Sequence, residues 1–161
     1  MKHIVFSIIL LSVLIASCKT KKAPGKESRK GIQTLTIAFY PPWGGSAEAI
    51  VERKEGKTNL YSTYHQKIDG IDTVLTAVNL VNKLTADSIY AYADSVKWND
   101  DANRGTAVTR VGLKFNMSLK KGRNQKSVAW ENLKNASELP TDILKLTGIV
   151  NRIAPPDFKI Y

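Results

Sequence analysis

The sequence predicts an α+β domain, a mostly antiparallel sheet with two helices on one face. Short segments alternate apolar and polar residues, as half-buried strands do. Glycine-bearing turns join neighbouring segments as hairpins, as at Glu55-Gly56-Lys57 and Lys120–Asn124. Twice the apolar spacing widens to a helical period, at residues 72–84 and 139–153. Residues 31–161 are enough for one domain with one core.

The elements follow in order. Leu35, Ile37 and Phe39 share one face of a first strand, which Pro41-Pro42-Trp43-Gly44-Gly45 ends. Ala47–Lys54 and Thr58–Gln66 read as a hairpin, and Asp69-Gly70 breaks the sheet pattern. Asp72 suits a helix N-cap, with Val74, Leu75, Val78, Val81 and Leu84 along one helical face. Ile89, Ala91 and Ala93 then alternate as an extended segment. Thr109–Leu119 and Ser127–Leu133 read as strands around a turn. A second helix carries Ile143, Leu146, Val150 and Ile153, Pro155-Pro156 stops it, and Phe158–Tyr161 reads as a final strand. A shift of 69 residues lays Leu75 on Leu144, Val81 on Val150 and Tyr92 on Tyr161, as in two tandem β-β-α-β repeats. Chance likeness between amphipathic helices followed by strands is the competing account.

The N-terminus is organised differently. Met1-Lys2-His3 is a short positive start, and Ile4–Ala16 is an uncharged apolar run. That run falls short of the roughly 20 residues of a membrane span, and the pattern is that of an export signal. The tetrapeptide Ile15-Ala16-Ser17-Cys18 resembles the lipobox of bacterial lipoproteins, and the Lys-rich segment after it looks like lipoproteins of the Bacteroidota. The resemblance implies cleavage before Cys18, acylation of that cysteine by palmitate-like chains and attachment to a membrane. With Lys19-Thr20-Lys21-Lys22 after the cysteine rather than acidic residues, it implies an outer-membrane protein facing the periplasm. An ordinary signal peptide or membrane anchor with a chance cysteine is the competing reading.

The expected organisation is therefore a signal peptide over 1–17, a lipidated cysteine with a basic flexible tether over 18–30, and the domain over 31–161. Residues 19–30 hold six Lys/Arg against one Glu, with too little apolar surface to offset ordering entropy. Residues 31–161 hold 17 Lys/Arg and 13 Asp/Glu. Most of the net charge of +10 thus lies outside the domain, so no nucleic-acid partner is expected.

No catalytic residue, metal site or cofactor is predicted. His65 is the one histidine beyond the signal, and Cys18 the sole cysteine, too few for a zinc site. Ser62 and His65, three apart on a strand, face opposite sides. Asp101 and Asn103 in Asp100–Gly105 resemble part of a calcium loop but lack its closing Glu. Tyr61, Tyr64, Tyr90 and Tyr92 suggest an aromatic sheet face.

Tyr40-Pro41-Pro42-Trp43-Gly44-Gly45 is the candidate binding loop, an aromatic between a stiff and a permissive dipeptide. Tryptophan is a favoured binding anchor. It could meet an envelope protein or glycan, or fold back over the core, since tryptophan is highly buried on average. The function expected is a lipid-anchored, non-enzymatic binding module. The alternatives are a periplasmic inhibitor or immunity protein against a toxin or hydrolase, and a hydrolase built on carboxylates alone.

Overall fold

The computed structural model describes residues 31–68, 70–98 and 112–160, excepting the side chains of Lys67 and Ile68. The strands are β1 (Gln33–Tyr40), β2 (Ser46–Lys54), β3 (Lys57–Ile68), β4 (Ile71–Val81), β5 (Leu113–Lys121) and β6 (Asn124–Leu133). The helices are α1 (Lys83–Ser95) and α2 (Thr141–Ile153). The class is α+β, as expected.

All five strand pairings are antiparallel, and the sheet order is β4-β3-β2-β1-β5-β6. The first four strands form a meander. The chain then passes across one face through α1, and β5 joins the free side of β1. Alternation decides which face is covered. Leu35, Ile37 and Phe39 of β1 and Phe115, Met117 and Leu119 of β5 point into the core with Ala49, Val51 and Leu60. The two helices cover that face, α1 through Ala86, Ile89, Tyr90 and Ala93 and α2 through Ile143, Leu146, Thr147 and Val150.

The two helices run antiparallel across the strands. Arg53 of β2 meets Asp87 near the start of α1 at 2.7 Å, and Lys121 of β5 pairs with Asp94 near its end. In α2, Asp142 accepts the Lys97 N–H just beyond α1, and the Ile153 carbonyl accepts from Asn79 of β4. Tyr90 anchors α1 to the sheet: its hydroxyl is shared between the carbonyls of Gln33 and Val51, each at 2.8 Å. The Arg53 guanidinium lies 4.7 Å over its ring. Burial pushes the Tyr90 hydroxyl pKa above its usual range, against the pull of Arg53.

The sequence expectations need correction at three elements. Residues 72–81 are strand, not helix. Six of the eleven β4 residues are β-branched, which favours a pleated surface, and every one pairs with β3. Asp72 therefore caps nothing. The helix start is Asn82, whose side chain accepts the Thr85 N–H at 2.9 Å. The extended segment expected around Ile89, Ala91 and Ala93 is α1 itself. Its buried residues follow a helical period, and its alanines are strong helix formers. No final strand forms at 158–160. Pro156–Phe158 is a short 3-10 turn, and the Asn151 side chain exchanges two hydrogen bonds with the Ile160 backbone, at 2.8 and 2.9 Å. That backbone is thereby satisfied away from the sheet.

The 69-residue register lays β4 residues Leu75 and Val81 on α2 residues Leu144 and Val150, joining unlike elements. Tyr61 and Tyr64 point to opposite faces of β3, and Tyr90 and Tyr92 are helical, so the four do not form one aromatic face. Thr109–Val111, Asp100–Gly105, Tyr161, Ile15, Ala16, Ser17 and Cys18 lie outside the described residues.

Candidate functional site

The candidate loop caps the end of the sheet where β1 turns into β2. Pro41 to Gly44 form a tight turn closed by the Gly44 N–H on the Pro41 carbonyl at 3.2 Å. Pro42 at its second position fixes φ there and stiffens it. Trp43 is next, at the tip, and is 79% exposed. The structure therefore turns it outward rather than over the core. Gly44 and Gly45 have φ of 96° and 83°, conformations that side chains disfavour. At Gly45 space is also decisive, since a Cβ there would stand 2.5 Å from the His65 carbonyl oxygen. Glycine lets the loop lie directly on β3.

That close approach builds a cleft of about 740 Å³ between the β1–β2 loop and the start of the β3–β4 hairpin. Tyr40, Trp43, His65, Gln66, Asp72 and Val74 are among its lining residues. His65 is exposed on the open face, whereas Ser62 is buried under the helices without a hydrogen-bond partner. The two do not meet.

A second, smaller hollow of about 470 Å³ lies on the open face of the sheet. Its floor is a patch of small side chains, Thr36 and Ala38 of β1, Ser118 of β5 and Ser127 and Ala129 of β6, with Glu48 at its rim. Tyr40 lines both hollows. Sequence reasoning missed this floor. Its signal was the small residues alternating with the core residues of β1, β5 and β6.

The arrangement offers an indole (Trp43), two phenols (Tyr40 and Tyr64) and an imidazole (His65) around a cleft, beside a hollow with hydroxyls, one amide (Asn116) and one carboxylate (Glu48). Such a surface suits stacking and hydrogen bonding to a flat or extended ligand. Among the described residues, no three His, Cys, Asp or Glu side chains gather to hold a metal ion. No helix among them is long and apolar enough to cross a membrane.

The fold and site thus define an α+β domain with one helix-covered and one open sheet face. No protein family matches the chain, and comparison with curated proteins finds no match.

Proposed function

We propose that this chain is a lipid-anchored protein of the cell envelope whose folded domain is a non-enzymatic binding module. Cys18 would bear the acyl chains and hold the domain at the periplasmic side of the outer membrane. The observation that carries the binding role is Trp43, a large aromatic held outward at the tip of a stiffened turn beside a cleft. Exposure of so much apolar surface serves no packing purpose, and aromatic anchors of this kind dominate many interfaces.

The ends of the domain support the anchoring. The described chain begins at Gly31, beside the β5–β6 tip, where the Gly122 N–H donates to the Ile32 carbonyl. Lys54 and Lys57 on one flanking hairpin, and Lys120, Arg123 and Lys126 on the other, stand at that same end. An anchor N-terminal to Gly31 would turn this basic end toward headgroups. Each such cation near an anionic surface is worth on the order of 1 kcal/mol. The Trp43 cleft stands at the far end of β1, turned away to meet an envelope protein or a glycan. The protruding tryptophan equally suits an inhibitor that plugs a partner's pocket.

Fractionation and capture test the reading together. Cys18→Ala should move the protein from the membrane to the soluble fraction, and unchanged fractionation contradicts the anchor. Trp43→Ala should lose a partner that cross-linking captures with the wild type, while its melting temperature stays the same. Capture unaffected by the substitution removes the loop from the function.

A further inference from the structure

The large apolar side chains left exposed among the described residues fall in two places. Tyr40 and Trp43 belong to the cleft; the rest are Val74, which also lines its edge, and Ile71, Leu75, Val78, Leu80 and Leu84. Five of these six lie on β4, an edge strand. Edge strands are ordinarily kept short or protected by charge, proline or bulges, because their free backbone groups recruit other strands. β4 has eleven residues, no proline, and a single charge, at Asp72 near one end. It pairs with β3 without a register break.

Its free backbone groups and its apolar row coincide. Ile68 and Ile71 pair across residues 69 and 70, and such a two-residue connection is closed by a hydrogen-bonded pair. Hydrogen bonds to β3 therefore use the odd-numbered residues of β4. The N–H and C=O groups of Val74, Thr76, Val78 and Leu80 point away from the sheet, and their side chains lie on its open face.

We infer that β4 pairs with β4 of a second copy of this chain, antiparallel about a two-fold axis at Ala77, to make one continuous twelve-stranded sheet. The charges choose this occupant. The apolar run is flanked by Asp72 at one end and, just past the other, by Lys83, which also reaches Asp87 of its own helix at 3.3 Å; both are exposed. Antiparallel self-pairing brings Asp72 of each copy beside Lys83 of the other. The register centred on Ala77 sets Val74 against Leu80 and Thr76 against Val78, so every exposed apolar group of the row gains a neighbour. A register centred on Thr76 would bury Asp72 against Leu80 instead. On the open face Val74, Val78 and Leu80 are 54%, 62% and 76% exposed, so pairing there removes apolar side chains from water as well as satisfying the strand edge. The contact is isologous, so it closes at two copies.

Ala77 faces Ala77 across the axis as a non-hydrogen-bonded pair, the closer kind of antiparallel pair. In the full chain in its native envelope, Ala77→Cys should form a disulfide dimer of twice the chain mass under mild oxidation. Adding Val78→Lys should abolish that dimer, because it puts like charges on both copies of the strand. Val78 is exposed in the single chain, so Val78→Lys alone should still unfold in one cooperative transition, which separates loss of the dimer from loss of the fold. No dimer from Ala77→Cys, a cross-link to a protein of another mass, or a dimer that survives Val78→Lys overturns the inference. An equal dimer from the unsubstituted chain would trace to Cys18 and overturn it as well.

Discussion

The two helices occupy equivalent stations and are held there by different means. Each follows a hairpin, each is thirteen residues long, and each buries four positions at the same spacing. α2 fills three of its four positions with Ile143, Leu146 and Val150, beside Thr147, and its polar ties, Asp142 to Lys97 and Ile153 to Asn79, lie at its ends. α1 sets two alanines against the sheet and compensates with polar anchoring, through Tyr90 on two strand carbonyls, Arg53 on Asp87, and the Asn82 cap. α2 starts after Pro140 with no side-chain cap. A helix can thus be fixed by volume or by hydrogen bonds, and the two respond to different perturbations.

The largest test removes volume. Leu146→Ala should lower stability by about 2–5 kcal/mol, as buried leucine truncations do, measured by urea denaturation. Tyr90→Phe removes no core volume but leaves two carbonyls without that donor, and should cost about 1–3 kcal/mol. If Tyr90→Phe were neutral, the anchoring account of α1 would fail. Asn82→Ala should cost about 1 kcal/mol through the lost cap. Trp43→Ala, in neither helix, should stay within about 0.5 kcal/mol of wild type.

Titration separates the helices further. The folded state holds Tyr90 neutral, its pKa raised by burial. Its contribution is full below the unfolded tyrosine pKa near 10 and declines as pH rises above it. Asp87 runs the other way. The Lys83 hydrogen bond above all holds its carboxyl below the usual range, with Arg53 helping to offset the opposing desolvation. Its contribution is present above pH 4 or so and falls as acid protonates it. Tyr90→Phe should therefore flatten the alkaline limb of a stability–pH curve, and Asp87→Asn the acid limb.

The same contrast explains what could be read from the residues. α2 was legible because branched and long apolar side chains at helical spacing announce a buried stripe. α1 was not, since Ala86, Ala93 and Tyr90 carry little apolar signal, and Ile89, Ala91 and Ala93 mimic a strand. β4 was misread for the converse reason. Val74, Val78 and Val81 satisfy a helical spacing, and only their β-branching and the pairing partner β3 decide otherwise. Strands β1, β2, β3 and β5 were legible where one face alone is buried. The candidate loop was visible as composition, but the seat of Gly45 on His65 is a contact between the loop and β3 that local sequence does not encode. The small-residue hollow needed three strands side by side.

The passage from β4 to β5 also governs the order of assembly. Every other strand pairing joins neighbours in the chain, whereas Gln33 must find Lys121. Closing so long a loop carries an entropic penalty that local hairpins avoid. The meander and the β5–β6 hairpin can each form early, but until they dock, β1 keeps an unzipped flank at what becomes the centre of the sheet. Folding should thus be slowest, and most exposed to mispairing, at this one seam.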